Sequence, residues 1–198
     1  MPAKARAKPE APRPAAPPRS DRAIETARRH FRDGDYRAAI AVLNTVLQRE
    51  PENFDALAMI AGCHGLQGDY DQAAEYDRRA VEADPRNAQL WNNFGWDLLQ
   101  AGRVEDAEEA YRRCVDLDGH RASAWFNLAR IAARRGDTDQ ALDDLERAAA
   151  ERPDLREEAK SQPEFAPFFE DPRFDRIVNP RVESEDPYAE WIKEGKVE

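Results

Sequence analysis

Few side chains in this sequence could carry chemistry, and their spacing decides what each is for. His30 and His64 stand 34 positions apart, so imidazoles from equivalent helices could approach each other, yet two such ligands with no acids set beside them make a poor metal site. They read as core histidines. Cys63 adjoins His64, the pairing a thiol nucleophile would use, but consecutive helical residues diverge by about 100° around the axis, which separates thiol from imidazole. Gly62, Gly65 and Gly68 form a glycine-rich run. No strand precedes it and no Lys-Ser or Lys-Thr follows, so it reads as a helix end and not as a phosphate cradle. The neighbouring carboxylates Asp143 and Asp144, and Glu157 and Glu158, are expected to be solvated faces of an acidic chain. Cys114 falls in a column of small packing residues. No catalytic constellation results, no cofactor or metal is implied, and a non-enzymatic binding protein is expected.

The elements that position these residues repeat. Gly34, Gly68, Gly102 and Gly136 share a step of 34 residues, as do Ala39, Ala73, Ala107 and Ala141, and Pro51, Pro85, Gly119 and Pro153 keep the same register. A fixed period of this length is the mark of stacked structural repeats. Four units follow, spanning roughly 20–53, 54–87, 88–121 and 122–155. Within each, apolar residues recur three and four apart on both sides of the glycine, which predicts two amphipathic helices joined by a tight turn. Glycine stops the first helix because it takes the left-handed conformation without steric cost. Proline stops the second, since it lacks an amide hydrogen and disfavours a helical residue before it. The expected fold is an all-α solenoid of four helix-turn-helix repeats plus short capping helices.

Composition sharpens that expectation. Leu, Ile, Val and Phe number 34 of 198 residues and the net charge is -10, which alone would suggest disorder. Alanine also numbers 34, and its placement resolves the conflict. Ala27, Ala61, Gly95 and Ala129 form a small-residue column in the first helices, matched by the alanine column of the second, so backbones can approach closely. Leu57, Trp91 and Trp125, then Ile60, Phe94 and Leu128, then Leu43, Tyr111 and Leu145, fill the flanks. The longest run free of Asp, Glu, Lys and Arg is Ala56 to Gly68, thirteen residues, against the 20 or so that a bilayer span needs. Residues 1–20 are basic and rich in Pro and Ala without the apolar run of a secretory signal, and two cysteines cannot build a disulfide framework. A cytoplasmic protein is expected.

These residues resemble the tetratricopeptide repeat family. Trp91, Phe94, Gly95, Gly102, Ala107 and Tyr111 match its pattern in the third unit, and Trp125, Leu128, Ala129, Gly136, Ala141, Ala148 and Pro153 match it in the fourth. Asp77 stands where an aromatic is usual, which is expected to loosen the second unit. Gly119 replaces a closing proline, and His30 and His64 replace aromatics. The resemblance implies a right-handed superhelix whose first helices line a concave groove for a peptide of a protein partner. Carried onto this sequence, the groove would hold Arg28, Phe31, Arg32, Leu66, Asn92, Trp96, Leu99, Phe126, Asn127, Arg130 and Arg134. Trp96 and Phe126 would anchor the ligand, the asparagines would satisfy its backbone, and the arginines would fork onto a carboxylate. The expected ligand is apolar with at least one acidic group. The Lys and Asn clamp that some family members use for acidic C-terminal tails is not supported, because Ile24, Arg28 and Gly62 occupy the positions concerned.

The expected domain order is a disordered basic tail over 1–20, the repeats over 21–153, capping helices over 154–178 and an acidic tail over 179–198 with a possible docking motif at Tyr188, Trp191 and Ile192. Residues 154–178 carry Phe165, Phe168, Phe169 and Phe174 among three prolines, suited either to covering the open end of the stack or to an outside partner. Residues 21–178 sum to -11, which opposes nucleic acid, and the basic tail has no apolar anchor for a membrane surface. An adaptor, scaffold or co-chaperone-like role through the groove is expected. The alternative is an assembly subunit that docks through its tails, cap or convex face and can self-associate.

Overall fold

The computed structural model describes residues 19–180, so all but the inner two residues of each tail, with Tyr188, Trp191 and Ile192, lie outside the described residues, and Arg19 and Ser20, expected in the basic tail, open the first helix. Eight helices form four antiparallel pairs: α1 (Arg19–Arg32) with α2 (Tyr36–Leu47), α3 (Phe54–Leu66) with α4 (Tyr70–Ala83), α5 (Ala88–Gln100) with α6 (Val104–Leu117), and α7 (Ala122–Arg135) with α8 (Thr138–Glu151). Then come α9 (Leu155–Ser161), a 3-10 turn over Pro163–Phe168 and α10 (Pro172–Val178). The fold is the expected all-α solenoid, and no strand occurs among the described residues.

The periodic glycines act as foreseen. Gly34, Gly68, Gly102 and Gly136 all have φ between 77° and 79°, the left-handed region where a Cβ would be strained. Asp35, Asn53 and Asp137 cap the helices after them, accepting from the amides of Ala38, Ala56 and Gln140 at 3.0, 3.0 and 3.2 Å. Helices within and between pairs meet over the alanine columns, which are completely buried. At Gly95 the fit is tightest, since a Cβ there would lie 2.9 Å from the Tyr111 ring.

A recurring latch ties a first helix to the loop that leads into it. Trp91 donates its indole N–H to the Pro85 carbonyl at 3.0 Å, and Trp125 donates to the Gly119 carbonyl at 2.8 Å. The missing proline at 119 therefore costs the latch nothing, because only the main-chain oxygen is used. The C-terminal segment covers the end of the stack: Phe165 is fully enclosed, with its ring 5.9 Å from Phe126 and 6.1 Å from Phe174. Arg173 of α10 adds ion pairs to Asp143 and Glu146 of α8.

Three expectations need correction. His30 and His64 are half-buried and not core; His64 stacks on Tyr76 with its Nδ1 3.5 Å from Asp69. Asp144 is buried, not solvated, and burial raises its carboxyl above the usual range. Phe169, unlike the other cap phenylalanines, is half-exposed. The helix α4 runs unbroken through Asp77, whose carboxyl is buried. Cys63 and Cys114 are buried free thiols whose desolvation pushes both up to about 11, so neither forms a ready thiolate.

Candidate peptide-binding groove

First helices of the four pairs line a cavity of about 950 Å³ that opens along the stack. It exists because the repeat alternates bulk with none: Phe31 of α1 faces Gly62 of α3, where a Cβ would sit 3.5 Å from the ring, an ordinary contact. Of the eleven residues placed in the groove by sequence, Phe31, Leu66, Asn92, Trp96, Phe126, Asn127 and Arg130 line this one cavity. Leu66 is 60% exposed and Trp96 46%, and with Phe169 they are the large apolar side chains left exposed among the described residues. Leu66 and Trp96 stand on consecutive first helices, α3 and α5, at its mouth.

The other four lie elsewhere. Arg28 and Arg32 turn to solvent and pair with Glu25 of their own helix at 3.4 Å each, worth little in open water. Leu99 is buried in the core between α5 and α6. Arg134 lies outside the cavity lining and points to the cap. Phe126 lines the cavity but is almost wholly covered, because Phe165 of the cap packs against it.

The asparagines and Arg130 form one polar chain. Asn92 accepts from the Ser123 hydroxyl at 2.9 Å, Asn127 donates to the Ser123 carbonyl at 3.0 Å, and Arg130 donates to the Asn127 side-chain oxygen at 3.3 Å. Its second nitrogen, at 2.8 Å, and that of Arg134, at 2.6 Å, both reach one oxygen of Glu164 in the 3-10 turn. Burial would raise the Glu164 carboxyl, but a backbone N–H and these guanidinium groups outweigh it and hold the acid below its ordinary value. The carboxylate that the arginine fork was expected to draw from a ligand thus has a counterpart within the chain.

Sequence reasoning missed the floor. Asp77 of α4 and Asp97 of α5 are 1% and 6% exposed and both line the cavity. Burial and the neighbouring carboxyl hold Asp77 well above the usual range, and burial pushes Asp97 up to about 6. The signal was present. Asp97 stands 34 residues after Cys63 and 34 before Ile131, two fully enclosed neighbours, so an acid there occupies a core column.

Geometry alone thus defines a helical-repeat solenoid with a capped end and an inner groove. The chain belongs to the tetratricopeptide repeat family, whose sequence model matches residues 24–88 and 92–156. Among solved structures it is similar to the MamA protein, at 19% identity over 80% of this chain and 86% of that one, with a TM-score of 0.70. It is also similar to MamA from Desulfovibrio magneticus RS-1, at 21% identity over 68% and 76% of the two chains and a TM-score of 0.62. The third likeness is to pilF of Pseudomonas aeruginosa, at 24% identity over 71% of this chain and 64% of that one, with a TM-score of 0.63. These likenesses show the fold alone. No match was found among curated proteins.

Proposed function

We propose that this protein is a scaffold or adaptor that holds a short segment of a protein partner in its inner groove. A family fold built for protein interaction supports the general role. The observation that carries the specific one is the pair Leu66 and Trp96, left exposed at the mouth of a cavity large enough for several side chains. Aromatic anchors bury large area at small entropic cost. With Arg130 and Arg134 already sharing Glu164, the ligand keeps its apolar character and has no need of an acid.

The test is affinity capture of partners from the native cell with the full chain and with Trp96→Ala. Loss of about 2 kcal/mol or more of binding, with unchanged helicity by circular dichroism, is the expected result. Unaltered capture by the variant refutes the groove. A second reading has its own observation: Phe169 is 50% exposed on the cap, and docking there, by a partner or a second copy, predicts loss of capture with Phe169→Ala while Trp96→Ala binds normally.

A further inference from the structure

Three departures from the repeat pattern meet at one point in the groove. In the column that carries Leu43, Tyr111 and Leu145, all fully enclosed, the second pair has Asp77. In the column of Cys63 and Ile131 the third pair has Asp97. In the column of Phe31, Leu99 and Ala133 the second pair has Gly65. The last makes room for the others: a Cβ at Gly65 would lie 3.0 Å from Asp97 Oδ1, so the missing side chain is replaced by a carboxyl from the next repeat.

Neither Asp77 oxygen meets an N–H or hydroxyl donor, although the residue is 1% exposed. The hydroxyl of Tyr111, in the helix that follows Asp97, is buried without a partner too. Among the described residues no lysine or arginine pairs with either acid, and the arginines lining the same cavity are committed elsewhere, Arg130 to Glu164 at 2.8 Å and Arg152 to Asp154 at 3.2 Å. The two carboxyls meet each other, but buried acids ordinarily carry a donor or a counter-charge, and no cation among the described residues answers this pair on the cavity wall.

We propose that this recess receives the lysine or arginine side chain of a protein partner, its cationic head between Asp77 and Asp97 and its methylene stem against Trp96 and Leu66. The inference rests on the groove reading above and supplies the chemistry of the ligand. A single cationic head suits two neighbouring carboxyls that burial holds above their usual range, because the arriving charge stands in for a proton. An amphipathic stem suits the apolar mouth. A metal ion is a poorer occupant, since no third His, Cys, Asp or Glu among the described residues completes a set.

Argininamide and its uncharged isostere citrullinamide are the probes. Each is titrated into the full-length chain at pH 7.5, with the indole signal of Trp96 and the aspartate side-chain carboxyl carbons followed by NMR. The expected result is saturable movement of both with argininamide, about tenfold weaker or absent with citrullinamide and in Asp97→Asn or Asp77→Asn. Indistinguishable titrations with the two probes overturn the proposal without recourse to any variant. Deletion of residues 1–18 that strengthens argininamide binding would assign the recess to the chain's own basic tail and overturn the partner source.

Failure of this inference and of the groove reading look different. A partner whose capture depends on Trp96 but not on Asp97 leaves the groove standing and removes the acid pair. A partner indifferent to Trp96 removes the groove itself.

Discussion

Asp97→Asn should flatten the dependence of stability on pH. In the folded chain Asp97 keeps its proton until about pH 6, because burial opposes its charge, whereas its ordinary value is 3.8. The unfolded chain therefore releases this proton first, so the contribution is fully present below pH 3.8 and is lost as pH rises through 6. A difference of about two pH units at about 1.4 kcal/mol each amounts to about 3 kcal/mol. The groups facing Asp97 are Asp77 on α4 and Tyr111 on α6, with uncharged Gly65 on α3. Of these, the Tyr111 hydroxyl is pushed above its ordinary range, and Asp77 is raised by burial and in part by Asp97 itself. Urea unfolding of wild type and variant at constant ionic strength, from pH 4.5 to pH 7.5, reads the loss of the Asp97 titration together with the relief it gives Asp77. The variant should gain on the wild type by about 2 to 3 kcal/mol across that interval. Parallel curves, or a variant that loses ground as pH rises, would refute the burial argument.

Gly95→Ala should cost about 1 to 3 kcal/mol, measured by urea unfolding, since its methyl would lie 2.9 Å from an enclosed Tyr111 ring that has no room to withdraw. Phe165→Ala should cost about 3 to 5 kcal/mol and expose the end of the stack, seen as faster amide exchange in α7 and α8 while α1 to α4 keep their protection.

The period of 34 made the architecture legible before any coordinates, because glycine at positive φ and close-packed alanine are demands the backbone makes at fixed places. Trp96, Phe31 and Asn92 were legible for the same reason: register places them on the inner face. What register could not supply was competition. Arg130 and Arg134 were assigned to a ligand's acid, yet Glu164, some 30 residues on and in an irregular turn, reaches both. Phe126 was assigned as an exposed anchor, and the same turn covers it. The cap has no period, so its fold-back position was invisible to a reading by columns. Asp97 was missed because an acid in a charged sequence attracts no notice unless its column is read.

Because Glu164 offsets only one of the two arginine charges beside the cap, the inner surface grades from weakly positive at the fourth helical pair to negative between the second and third. A cation crossing it meets a sloping potential, felt over about 10 Å at 0.1 M salt. A segment with one charged residue would thus be turned before any anchor seats, and its chain direction along the superhelix would be set by charge placement and not by shape.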